Sequence, residues 1–209
     1  MRRILLATAN PGKIRDFAGA AVSHNIEVAA IPHFGSLPTV VEDGLTFEEN
    51  ARKKAEQYSL AVPGELVLAD DSGLEVDALA GGPGVRTRRY AGEDATDEAN
   101  NTKLLVALRD LPPERRGARY VCVLALALPD AAGPRGGVRV VTARGTCRGR
   151  IATEPRGGGG FGYDPIFEPA EEPPGGRTLG LWTPAEKHAV SHRARAARRM
   201  APRLAALGL

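Results

Sequence analysis

Short apolar runs alternate with helix-forming stretches along this chain, and polar or glycine-rich clusters follow the runs. That alternation limits the fold more than any single residue does. A short apolar run bounded by turn residues reads as a buried strand, and a capped stretch of good helix formers reads as a helix. Arg3 to Thr8, closed by Asn10-Pro11-Gly12, predicts a first strand, and Ile14 to Val22 a helix. Ile26 to Ile31 predicts a second strand. Thr46-Phe47-Glu48-Glu49 is a capping box that opens a helix to about Leu60. Leu66 to Ala69 predicts a strand ending in the polar cluster Asp70-Asp71-Ser72-Gly73, and Asp97 to Leu108 a helix closed by Leu111-Pro112-Pro113. Arg119 to Leu128 and Val138 to Cys147 predict an antiparallel pair joined by a Pro/Gly turn, and Pro184 to Leu207 a terminal helix. The order β-α-β-α-β-α-β-β-α fits a mixed α/β sheet flanked by helices, since the hairpin spoils a purely parallel sheet. Polar clusters just after strands are where open α/β folds place ligands. With no repeat and no long linker, residues 1–209 are expected to form a single α/β domain.

Composition narrows the function classes. With 43% hydrophobic and 25% charged residues, the 209-residue chain can bury a substantial core. The longest apolar run, Tyr120 to Leu128, is too short to span a membrane. The opening residues start like a signal peptide, but Asn10 to Lys13 cut the apolar stretch short, so a cytoplasmic protein is expected. A net charge of +3 and 5% aromatics speak against a nucleic-acid partner. Arg193, Arg195, Arg198, Arg199 and Arg203 gather on the terminal helix, as a solvated face or as an anion-binding one. Cys122 and Cys147 fall in expected strands with no Cys/His cluster, which argues for buried free thiols and against zinc.

Five clusters carry chemistry. Thr8-Ala9-Asn10-Pro11-Gly12-Lys13 follows a strand and precedes a helix, and offers backbone N–H groups, a hydroxyl and a cation to a phosphate. It is a near miss for a P-loop, because Ala7 replaces the first Gly and Ile14 stands where Ser/Thr must hold magnesium. The alternative is an ordinary turn with Asn10 as cap. In Asp70-Asp71 the side chains point to opposite faces, so one carboxylate can hold a hard cation through oxygen while the other serves elsewhere. A turn with local side-chain hydrogen bonds is the alternative. Glu42 precedes the capped helix and could add a second carboxylate, and Asn50 and Lys54 share one helix face.

Gly157, Gly159 and Gly162 match G-x-G-x-x-G formally, but Tyr163-Asp164-Pro165 cannot open a clean helix and no βαβ unit begins there. The loop could instead present Phe161 and Tyr163 to a planar base, with Asp164 accepting from its edge, or it is a floppy loop anchored by buried aromatics. Lys187, Ser191, His192 and Arg193 form a donor-rich patch on the last helix, suited to an anion or to carbonyl oxygens.

Taken in order, these pieces resemble the inosine triphosphate pyrophosphatase family. The matching segments are Thr8-Ala9-Asn10-x-x-Lys13, Thr46-Phe47-x-Glu49-Asn50-Ala51-x-x-Lys54-Ala55, Ala69 to Leu74, Gly84-Val85 with Arg89-Tyr90, Phe161 to Pro165, and Glu186-Lys187 through Ser191-His192-Arg193. The resemblance implies hydrolysis of ITP, dITP and XTP to the monophosphate and pyrophosphate, with magnesium as cofactor. It implies Asp71 as catalytic acid and metal ligand, and Glu42 as a second metal-side carboxylate. It assigns Thr8, Asn10, Gly12, Lys13, Lys54 and Ser72 to the triphosphate. It assigns Phe161, Gly162, Tyr163, Asp164, Lys187, His192 and Arg193 to the nucleobase. It also implies an elongated mixed sheet, two lobes with a cleft between them, and a homodimer. The chain departs from the pattern at Arg86-Thr87-Arg88, where relatives carry an aromatic, Ser and Ala, and at Leu179 to Trp182, where an acidic residue is missing.

Overall fold

A computed structural model describes residues 2–10, 13–14, 17, 26–129 and 137–206. Among the described residues, six strands form one sheet in the order β2-β1-β3-β4-β5-β6. They are β1 Arg2–Leu6, β2 Ile26–Ala30, β3 Leu66–Val76, β4 Gly117–Pro129, β5 Val138–Ile151 and β6 Phe167–Pro169. β1 pairs in parallel with both β2 and β3, placing Ile4 beside Val28 on one side and Leu66 on the other. β5 and β6 run antiparallel with Ile151 opposite Phe167, so the sheet is mixed as expected. The α-helices among the described residues that have full bounds are α1 Phe47–Ser59, α2 Asp97–Ala107, α3 Pro184–Val190 and α4 His192–Ala206. Lys13, Ile14 and Phe17 are helical too. The rest of the helix expected over Ile14 to Val22, residues 130–136 of the expected Pro/Gly turn and the candidate Gly12 lie outside the described residues.

The chain divides into two compact units. One comprises Met1–Asp71, Cys122–Gly145 and Arg193–Leu209, and the other Ser72–Val121 and Thr146–His192. The first unit's core joins Ile4, Leu6 and Leu68 to Cys122, Leu124, Leu126 and Leu128. α4 adds Ala196, Met200 and Leu204, a stripe spaced by four residues, and leaves Arg198, Arg199 and Arg203 exposed. The second core gathers Leu74, Val76, Leu104, Leu108, Tyr120, Ile151, Tyr163 and Phe167. There Arg116, only 2% exposed, donates to the carbonyls of Leu108, Ile151 and Ala152 at 2.7–2.9 Å. Those bonds satisfy main-chain acceptors where a helix and a strand end. Both cysteines are free and buried, as the sequence suggested. No helix among the described residues is long and apolar enough to cross a membrane.

Three sequence expectations need correction. Asp70 to Gly73 do not close a strand, because β3 continues to Val76, with Leu74 and Val76 fully buried. Two adjacent acids and a glycine read as turn chemistry, but both carboxylates find lysine partners, which lets the strand carry them inward. The terminal helix is also two helices, because Ser191 adopts an extended backbone (ψ 147°) between α3 and α4. Serine competes for local hydrogen bonds and favours helix ends. Finally, β6 was missed, since three residues beside a 3-10 turn give no periodicity.

The capping box is formed. Thr46 Oγ1 accepts from the Glu49 N–H and Glu49 Oε2 accepts from the Thr46 N–H, both at 3.1 Å. Thr46→Ala should therefore lower unfolding free energy by about 1 kcal/mol, measured as a shift in urea midpoint at constant slope. No shift would mean that the box adds nothing to α1.

Candidate active site

Strand alternation separates the two adjacent aspartates of β3. Asp70 is 6% exposed and takes the Lys13 ammonium on both carboxylate oxygens, at 2.9 and 2.8 Å. Burial works against its ionisation, yet the charges of Lys13, Arg193 and Lys54 outweigh it and hold the carboxyl below its ordinary value. Asp71 has different partners. Its Oδ1 accepts from Lys54 Nζ at 3.3 Å and its Oδ2 from Asn50 Nδ2 at 3.2 Å. The i, i+4 spacing on α1 read from the sequence thus delivers both donors to one carboxylate.

Lys54 also donates to Glu42 Oε2 at 3.0 Å, so two carboxylates converge on one buried ammonium. Burial opposes the Lys54 charge, but Asp71, Asp70 and Glu42 override it and raise its pKa, keeping it protonated. Burial, with Glu42 and Asp70 nearby, pushes Asp71 up to about 6 against the opposing pull of Lys54 and Asn50. Asn50 was not among the expected site residues. It is 1% exposed, and its Oδ1 accepts from the Gly44 N–H at 2.8 Å, tying the Glu42 loop to α1. An asparagine on the inward face of an amphipathic helix was the available signal.

At the first turn, Asn10 Oδ1 accepts from the Lys13 N–H at 3.3 Å and Thr8 Oγ1 from the Asn10 N–H at 3.1 Å. Asn10 therefore does cap the helix, the plainer of the two readings, and that cap orients Lys13 toward Asp70. Ser72 follows Asp71 on β3 and is half-buried.

The second unit holds the glycine-rich loop, which is anchored rather than floppy. The Gly159 N–H donates to the Gly180 carbonyl at 2.9 Å. Gly160 sits at φ +85°, and a Cβ there would collide with Asp164 Oδ2 and Lys187 Nζ. Asp164 accepts from Lys187 at 3.1 Å, from the Phe161 N–H at 3.3 Å and from the Tyr120 hydroxyl at 3.3 Å. Burial raises its pKa, opposed by Lys187 and these hydrogen bonds.

Phe161 is 56% exposed, but Tyr163 is 2% exposed and its hydroxyl donates to the Thr87 carbonyl at 2.9 Å. The expectation that both aromatics are presented is corrected: Phe161 is presented, and Tyr163 is a core residue whose hydroxyl has a backbone partner. Tyr120, also missed, stacks on His192 with ring centroids 4.9 Å apart and 11° between planes. It lies in an apolar strand run, which gave no hint of its hydroxyl's role.

The departure at Arg86-Thr87-Arg88 is structural in part. Thr87 Oγ1 donates to the Gly84 carbonyl and accepts from the Leu74 N–H, while Arg86 and Arg88 are exposed. Arg193, grouped with the base-reading donors, also helps hold the Asp70 carboxyl ionised through its charge.

A model of the Ham1 family matches residues 4–203. A dITP/XTP pyrophosphatase of Geobacillus kaustophilus is 46% identical, over 94% of this chain and 91% of its own length. One from Syntrophobacter fumaroxidans is 49% identical, over 92% of this chain and 78% of its own. The solved Ham1 protein of Staphylococcus aureus is 37% identical and superposes with a TM-score of 0.84, covering 99% of this chain and 100% of its own. Sequence, family model and fold agree, and the chain belongs to the Ham1 family.

Proposed function

We propose that this chain hydrolyses the non-canonical purine nucleoside triphosphates ITP, dITP and XTP to the monophosphate and pyrophosphate. The observation that carries the proposal is the Lys54 ammonium held by Glu42 and Asp71, in a chain whose relatives bear the name dITP/XTP pyrophosphatase.

Two carboxylates that share Lys54 as a partner fit magnesium beside it, since that ion takes one or two carboxylates and completes its shell with water and phosphate oxygens. Among the described residues no group of three or more His, Cys, Asp or Glu could hold a metal. Glu42 and Asp71 would hold the ion, and bound there it supplies positive charge to phosphate oxygens. Lys54 and Lys13 offset the charge that builds on the phosphates, with Arg193 adding to the field on the Asp70 side. Thr8, Asn10 and Ser72 add polar contacts to the same phosphates. Asp71 accepts the proton of the water that attacks the α-phosphorus. The bond from the α-phosphorus to the bridging oxygen breaks, and pyrophosphate leaves.

In the second unit, Phe161 offers a face to the base, and Lys187 and His192 offer donors to a 6-oxo group. The 6-amino group of adenine would meet donor with donor, a mismatch that discriminates strongly. The test is pyrophosphate release from ITP, XTP, ATP, GTP, dUTP and dTTP with magnesium. Preference for ITP and XTP is expected, whereas preference for pyrimidines would overturn the proposal. Chelation by EDTA should stop turnover and leave the melting temperature of the nucleotide-free protein nearly unchanged. A large drop in melting temperature would mean that the metal holds the fold.

A further inference from the structure

Four consecutive glycines, Gly157 to Gly160, have more backbone freedom to lose than any other residues. Beyond them the loop is gripped at one residue, through the two peptide units that flank it. The Gly162 N–H donates to Asp97 Oδ2 at 2.6 Å, and the Gly162 carbonyl accepts from Asn101 Nδ2 at 3.1 Å. Asp97 and Asn101 stand four residues apart on α2 and therefore share one face. Gly162 takes φ +62°, a left-handed conformation that favours glycine. On one side of it is exposed Phe161, and on the other is buried Tyr163. Tyr163 is fixed by the core, so the orientation of the Gly162 peptide decides where the Phe161 ring points.

Asn101 shows what this contact is for. Its Nδ2 must face Gly162, because a carbonyl accepts only from a donor. Its Oδ1 is then left buried with no hydrogen-bond partner. A buried orphan acceptor lowers stability. What the amide gives that an apolar residue of the same size would not is its hydrogen bond to the loop.

We propose that Asp97 and Asn101 are positioning residues that set discrimination among purine bases by locking the peptide next to Phe161. The inference rests on the nucleotide reading, in which Phe161 faces the base. A locked platform favours the base that fits it and gives no help to one that does not.

The experiment compares steady-state kinetics on ITP and ATP for the whole chain and for Asp97→Leu and Asn101→Leu. Asp97→Asn keeps an acceptor oxygen and serves as the conservative rescue. Glu98→Gln removes a first-turn charge that makes no contact with the loop, and so controls for the helix dipole. Each Leu variant should raise KM for ITP about tenfold with kcat nearly unchanged, and lower the ITP-to-ATP efficiency ratio by a similar factor. Asp97→Asn should recover most of the loss, and Glu98→Gln should behave as wild type. Without nucleotide, exchange of the Gly162 amide hydrogen should accelerate in Asp97→Leu, which keeps the clamp testable if a variant is partly destabilised. An unchanged ratio in both Leu variants, equal losses on ITP and ATP, or unaltered Gly162 exchange would each overturn the inference alone. A wild-type chain inert toward ITP would overturn the nucleotide reading and this inference with it.

Discussion

Asp71→Asn is expected to lower ITP turnover by about a thousandfold or more while the protein stays folded. The substitution keeps the size of the side chain and retains an oxygen for the Asn50 or Lys54 donor. It removes the charge that would hold magnesium and the basic oxygen that would take the water's proton. Neither function has a substitute nearby. Glu42 remains, but its side chain is 41% exposed, against 13% for Asp71. Asp70 cannot take over, because it faces away from Asp71 and is committed to Lys13 through both oxygens. Asp70→Asn should therefore cost less activity, acting through a loosened Lys13. Initial rates of pyrophosphate release, set beside circular dichroism and melting curves, decide the matter. Equal losses in the two folded variants would sink the assignment of Asp71 as the principal residue.

Local patterns were legible in the sequence where a residue's neighbours along the chain determine its partner. The capping box of Thr46 and Glu49 is one case, the pairing of Asn50 and Lys54 on one helix face another, and the opposite facing of Asp70 and Asp71 a third. The mixed sheet was legible too, since short apolar runs alternated with capped helices. What the sequence hid were partners distant along the chain. Asn50 gripping Gly44, Tyr120 joining His192 to Asp164, and Asn101 holding Gly162 all depend on how the chain returns on itself. No periodicity records such contacts. The misplaced end of β3 has a related cause: turn chemistry was inferred from residue types alone, whereas lysines at positions 13 and 54 decide whether those acids can be buried. The single terminal helix failed at Ser191 because serine is tolerated inside helices as well as at their ends.

The Lys54→Met variant should lose at least about a hundredfold in turnover and become more responsive to magnesium in its stability. Lys54 is 8% exposed, and methionine matches its unbranched stem up to the ε position, so the core of α1 need not move. What changes is charge. Glu42 and Asp71 both point at the Lys54 ammonium, at 3.0 and 3.3 Å, and without it the two carboxylates lose a shared positive charge. Breaking a fully buried pair costs about 3–5 kcal/mol. The exposure of Glu42 allows water to relieve part of that, so the melting temperature should fall by less than such a loss would dictate. Magnesium, if held by Glu42 and Asp71, would then gain a second role in the variant by supplying part of the lost positive charge. Added magnesium should raise the melting temperature of Lys54→Met more than that of wild type, by the linkage between binding and folding. Turnover should stay low even at saturating magnesium, since the phosphate loses a cation that the ion does not replace. Thermal melts over a magnesium series, run beside ITP turnover, measure both effects. A variant whose stability ignores magnesium would show that Glu42 and Asp71 do not hold the ion together. Recovery of full turnover at high magnesium would show that Lys54 serves the carboxylates and not the phosphate.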